Sequence, residues 1–173
     1  MARASYTIAP CKSALNPVQG MPFAWSLNPY RGCTHGCHYC YARATHAHLG
    51  LDAGLDFTQR LFVKSNIVDV LRHELAARSW RREEVAIGTA TDPYQPCEGR
   101  FLLMPGILQA FIHHQSPVSI VTKSTLVLRD IELLAQLQAL AGARVSFTIT
   151  TLDPELWRAL EPGTPPPLKR LAV

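Results

Sequence analysis

From residue 23 onward, short strand-like runs alternate with amphipathic helical runs, and that order leaves few folds open. The strand candidates are residues 24–28, 61–64, 85–91, 118–123 and 145–150. The last is the clearest: Val145, Phe147 and Ile149 alternate with Ser146, Thr148 and Thr150, the period of two of a half-buried strand. The run at 61–64 is the shortest. Between them, Asn66 is placed to cap a helix with Ile67, Leu71 and Leu75 on one stripe. Leu108, Phe111 and Ile112 follow Pro105 as a second stripe. Asp130 is placed to cap a third helix, with Ile131, Leu134 and Leu137 inward and Gly142 as its stop. Asp153, Pro154 and Glu155 make a cap, a first-turn proline and a first-turn acid, ahead of Leu156, Trp157 and Leu160.

Strand followed by helix, repeated, calls for parallel strands joined by right-handed crossovers. The expected fold class is therefore α/β with a parallel sheet. An eight-unit barrel takes about 250 residues, so the stretch after position 22 has room for about five βα units. Residues 1–22 read as an irregular leader punctuated by Pro10, Asn16-Pro17, Gly20 and Pro22, and residues 23–173 as the barrel domain. Hydrophobic residues at 47% and charged residues at 17% support a packed core and exclude a disordered chain. No apolar run approaches the roughly 18 residues that span a membrane, and the first ten residues lack the apolar core of a secretory signal. A cytoplasmic location is the expectation. The net charge of +4 permits an anionic partner.

Three of the five cysteines fall within eight residues, in NPYRGCTHGCHYCYAR at 28–43. The core of the string is Cys33-x3-Cys37-x2-Cys40. An odd number of cysteines without a signal peptide argues against a disulfide scaffold. The segment follows the first strand candidate and precedes a helical stretch, so it lies at the carboxyl end of a strand, where parallel α/β folds keep their sites. Three thiolates on one loop can hold three corners of a tetrahedral metal site or of an iron–sulfur cluster. A zinc knuckle would draw its fourth ligand from His35 or His38.

The string resembles the hallmark of the radical S-adenosylmethionine superfamily, CxxxCxxC with an aromatic residue, here Tyr39, before the last cysteine. Within that superfamily it is similar to the group related to spore photoproduct lyases. The segments GTATDPYQPCE (88–98), TKS (122–124) and TTLDPELWRALEP (150–162) follow in the same order. The resemblance implies a partial TIM-like (βα) barrel, and a [4Fe-4S] cluster on Cys33, Cys37 and Cys40 with S-adenosylmethionine at its open iron. It also implies reductive cleavage of that molecule to a 5′-deoxyadenosyl radical, which abstracts hydrogen from a substrate. Tyr39 would set its backbone against the adenine. Thr89, Thr91 and Asp92 would contact S-adenosylmethionine, Lys123 would meet its carboxylate with Ser124 as helper, and Thr150 would add a weaker contact. A flavodoxin- or ferredoxin-like reductant and a nucleic-acid substrate are the implied partners.

Other residues read differently. Cys97 departs from the lyases' hydrogen-donor cysteine in position and reads as a free loop thiol. Cys11 has no assigned role. His46, His48, His113 and His114 read as helix-surface histidines and Glu161 as a solvated helix-end acid. Arg31 and Arg43 could bond locally or meet an anionic substrate. Members of the family build about six βα units and continue further, so the expectation is a C-terminally truncated or split chain whose open barrel edge is covered by self-association or a second polypeptide. The competing readings are a zinc-stabilised nucleic-acid-binding module and an inactive remnant of the enzyme.

Overall fold

The computed structural model describes residues 4–173. Its elements in chain order begin with four short strands, β1 (Ser5–Ile8), β2 (Asn16–Pro17), β3 (Trp25–Leu27) and β4 (Tyr30–Arg31). The cysteine loop and a 3₁₀ helix (Tyr41–Leu49) follow, then α1 (Leu55–Gln59), β5 (Arg60–Val63), α2 (Ile67–Ala76) and β6 (Val85–Ile87). Next come α3 (Glu98–Phe101), α4 (Leu103–His114), β7 (Val118–Thr122), a 3₁₀ turn (Thr125–Asp130), α5 (Ile131–Leu140) and β8 (Ala143–Phe147). Helices α6 (Pro154–Leu160) and α7 (Pro167–Ala172) close the sequence.

The architecture is α/β with a mostly parallel sheet, as the alternation requires. One sheet has the order β2-β3-β6-β7-β8, and all its neighbours are parallel except β2 on β3. The barrel does not close among the described residues. The run expected at 61–64 forms β5, but β5 does not join the main sheet. It pairs in parallel with β1 and antiparallel with β4, in a separate sheet β1-β5-β4. The expected irregular leader is likewise corrected. Residues 5–8 supply β1 in full register with β5, Ser5 opposite Arg60 through Ile8 opposite Val63, and residues 16–17 pair with β3. Neither strand has apolar periodicity, and β1 is held by backbone pairing with three of its four residues exposed.

Every residue of β6 is buried, as befits a strand covered on both faces. Val85, Ile87, Val118 and Ile120 from the sheet meet Ile67, Leu71 and Leu75 of α2, Met104, Ile107, Leu108 and Phe111 of α4, and Leu134 and Leu137 of α5. Two expected caps do other work. Asn66 precedes α2 without capping it; its amide donates to the Cys11 carbonyl and accepts from the Cys11 N–H, pinning the leader. Asp130 precedes α5 without capping it and takes a two-pronged bond from Arg129. Asp153 does cap, accepting from the N–H groups of Glu155 and Leu156 at 2.7 and 3.1 Å. Leu134 and Leu137 of α5 are buried as expected, whereas Ile131, also expected inward, is exposed at the first residue of the helix.

Candidate functional site

A cavity of about 340 Å³ opens at the carboxyl ends of β6 and β7, the end where parallel sheets hold their ligands. Cys33, Cys37 and Cys40 line it together with Tyr39, Thr89, Thr91, Asp92 and Lys123. All three cysteines are free thiols. Burial pushes the Cys33 and Cys37 thiols above their ordinary value, which favours the neutral thiol until a metal binds the sulfur and displaces the proton.

The loop is shaped by bonds that the local sequence does not announce. Gln95 accepts from the Thr34 N–H at 3.0 Å and donates to the Gly32 carbonyl at 3.0 Å. Arg43 settles as a local brace, donating to the carbonyls of Cys37, Gly36 and Gly54 at 2.9, 2.7 and 2.9 Å. From the far end of the chain, the Leu160 carbonyl accepts from the His38 N–H and the Gly163 N–H donates to the His35 carbonyl, both at 3.0 Å. His46, expected on a helix surface, is fully buried; its Nε2 reaches the Arg60 carbonyl at 3.1 Å and its ring meets Phe57 edge-on.

Asp92 joins the turn after β6 to the end of β7. It accepts from the Thr122 hydroxyl and the Lys123 N–H, both at 2.7 Å, and from the Tyr94 N–H at 2.9 Å. His35 Nδ1 lies 3.2 Å away. Burial alone would raise the Asp92 carboxyl, but the neighbouring His35 and these donors hold it below the ordinary value. His35 lines the same cavity, and among the described residues its buried Nε2 has no hydrogen-bond partner. Gly88 permits this packing: its φ is +91°, and an added Cβ would lie 2.4 Å from the Val121 carbonyl.

Glu161 is the main correction. It is wholly buried rather than solvated. It accepts from the Tyr39 hydroxyl, from Thr150 at 2.7 Å and from buried Arg170 at 2.6 Å, and Lys123 Nζ stands 4.0 Å off. Burial pushes the Glu161 carboxyl up, yet its hydrogen bonds and Arg170 more than offset that and hold it below the ordinary value. Thr150 thus faces Glu161, and Ser124 accepts from the Leu126 N–H as the cap of the 3₁₀ turn; neither lines the cavity. Thr91 donates its hydroxyl to the Tyr30 carbonyl at 3.1 Å, and Thr89 accepts from Asn28 at 3.2 Å. Lys123 Nζ also lies 5.7 Å from the centre of the Tyr39 ring. Cys97 lies in the core away from the cavity, where burial and Glu98 push its thiol up to about 12.

Residues 27–172 match the Radical SAM superfamily. The chain belongs to that superfamily. Among curated relatives, an uncharacterised protein of Mycobacterium tuberculosis is 50% identical over 166 residues, which are 94% of this chain and 49% of the relative. An uncharacterised protein of Methanocaldococcus jannaschii is 29% identical over 92% of this chain and 57% of its own length. The chain therefore spans about half the length of the curated relatives it matches. A solved spore photoproduct lyase mutant superposes with a TM-score of 0.62 at 20% identity, covering 96% of this chain and 46% of the lyase. Another, with bound AdoMet and dinucleoside spore photoproduct, superposes at 0.61 and 18%. The likeness establishes the partial radical SAM barrel fold.

The donor set fits an iron–sulfur cluster. Three free thiols from one loop reach one cavity, the donor set that such a cluster takes from a protein when one iron is left open. Of the histidines considered for zinc, His38 is exposed, and His35 lines the cavity with its Nδ1 turned to Asp92. Gln95, Asn28 and Arg170 were not singled out as site residues from the sequence, and His35 was considered only as a zinc ligand. Gln95 and Asn28, inside the DPYQP and NPYRG strings, carried a signal that could have been followed; Arg170 carried none.

Proposed function

We propose that this chain is a radical SAM enzyme in which Cys33, Cys37 and Cys40 hold a [4Fe-4S] cluster and the adjoining cavity takes S-adenosylmethionine. One observation carries the reading: the three cysteines line the same cavity as Tyr39, Thr89, Thr91, Asp92 and Lys123. When bound, the cluster supplies one electron for reductive cleavage of S-adenosylmethionine, for hydrogen abstraction from a substrate. The protein's part is placement. Gln95 and Arg43 fix the loop backbone, so the thiols are presented with little reorganisation. Lys123 offers its ammonium as a point charge to the carboxylate of S-adenosylmethionine, steadied by the Tyr39 ring and by Glu161. The Tyr39 backbone would lie against the adenine and Thr89 and Thr91 would border the ribose or amino group, while Asp92 ties the turn after β6, which carries the threonines, to the end of β7. Thr150 supports Glu161 from outside the cavity, and Ser124 caps the 3₁₀ turn that follows Lys123.

Likeness to a lyase that binds dinucleoside spore photoproduct supports a substrate of the nucleic-acid class. A low-potential flavodoxin- or ferredoxin-like protein would supply the electron. Reconstitution with iron and sulfide under anaerobic conditions should give a brown protein with about four irons per chain. Dithionite and S-adenosylmethionine should then yield 5′-deoxyadenosine by chromatography. Cys37→Ala should abolish both. A colourless protein containing one zinc overturns the reading.

A further inference from the structure

A second cavity, of about 270 Å³, adjoins the first; Ala90 and Thr91 line both. Its walls come from both sheets: Asn16 of β2 and Ser26 of β3 on one side, Arg31 of β4 and Lys64 at the end of β5 on the other, with His48 of the 3₁₀ helix. No carboxylate lines it. Among the described residues neither Arg31 nor Lys64 has an ion-pair partner. The two cations nevertheless sit close enough to repel. Burial lowers the Lys64 ammonium from its ordinary value, and the Arg31 charge adds to that against the opposing pull of Cys11. A half-buried lysine beside a guanidinium, with no counter-charge, leaves an uncompensated positive field in a polar recess. Arg43, the other arginine near the cysteine loop, spends its guanidinium on backbone carbonyls, so Arg31 stands apart in being uncommitted.

We propose that this second cavity receives a phosphate group of the substrate, gripped by Arg31 and Lys64, so that the substrate lies against the Ala90–Thr91 wall shared with the S-adenosylmethionine cavity. A guanidinium fork matches two phosphate oxygens, and a nearby ammonium adds a mobile point charge. The Ser26 hydroxyl supplies a further donor. The inference rests on the radical SAM reading only for what the neighbouring cavity holds; the phosphate site itself needs no iron.

The test therefore uses the full chain without iron, titrated with inorganic phosphate at low ionic strength and followed by calorimetry and ³¹P line broadening. Saturable binding is expected. Arg31→Met and Lys64→Met should each weaken it at least tenfold, Lys64→Arg should restore most of it, and the surface control Lys169→Met should leave it unchanged. Circular dichroism checks that each variant is folded. Two further arms separate the sources of the phosphate. Tighter binding of a 5′-mononucleotide marks a monoester, and tighter binding of a short single-stranded oligonucleotide marks a backbone diester. Absence of binding, wild-type affinity in Arg31→Met or in Lys64→Met, or displacement of phosphate by S-adenosylmethionine overturns the proposal. If phosphate binds but iron reconstitution fails, only the radical SAM reading falls. If the cluster forms and phosphate does not bind, only the phosphate site falls.

Discussion

Glu161 holds the cysteine loop and the end of the chain to one another. Its carboxylate faces Arg170, which is as fully buried as Glu161 itself, and it collects the hydroxyls of Tyr39 and Thr150. Glu161→Gln leaves the Arg170 guanidinium without a counter-charge, and removing one partner of a buried pair costs about 3 kcal/mol. Denaturant unfolding at pH 7 should show a midpoint lowered accordingly. The folded Glu161 carboxyl lies below its ordinary value of about 4.3. Its contribution is therefore complete above that value and fades as pH falls through the folded one. The wild-type chain should lose stability on acidification below about pH 5, and Glu161→Gln should lose less. Equal pH slopes in the two proteins would contradict this assignment. In the sequence Glu161 reads as an ordinary helix-end acid, because nothing within reach of it along the chain says that Arg170 folds back to meet it.

At the scale of elements, the segment from α6 to α7 packs directly on the cysteine loop. Gly163 is the contact point: a Cβ there would lie 2.2 Å from the Thr34 carbonyl oxygen and 2.9 Å from the His35 Cα, both backbone atoms that cannot swing aside. Gly163→Ala should displace the loop. Overpacking of this kind costs about 1–3 kcal/mol. The readable outcome is reduced iron incorporation after reconstitution, with far-ultraviolet dichroism unchanged. Full iron occupancy would mean that the loop does not depend on this contact. The elements themselves were legible to different degrees. The helices of residues 67–76, 103–114 and 131–140 announce themselves by apolar stripes, and Asp153 by its capping chemistry. Strand β1 was not legible, because it is specified by pairing with β5 fifty-five residues later rather than by any pattern of its own.

For the whole molecule, the main sheet ends at β8, which pairs with β7 and with no other described strand. The chain also exposes Leu152, Leu156, Leu168 and Leu171 in the elements that follow β8. An unpaired strand edge is a template for association. Sedimentation should show concentration-dependent self-association, and Ser146→Lys, which puts a charge on the β8 edge, should shift the chain towards monomer. A monodisperse, heat-stable monomer in light scattering would refute the expectation. No helix among the described residues is long and apolar enough to cross a membrane. By itself the sequence determined the alternating α/β plan, the interior stripes of the helices and the cysteine spacing, because each depends on residues a few positions apart whose periodicity and chemistry act locally. Only the tertiary structure decided that β5 leaves the main sheet for β1, that Glu161, Arg170, His35 and Gln95 converge on the cysteine loop, and that Arg31 and Lys64 share an uncompensated recess. Those relations join residues dozens of positions apart, and burial and charge pairing have no value until the chain has closed around them.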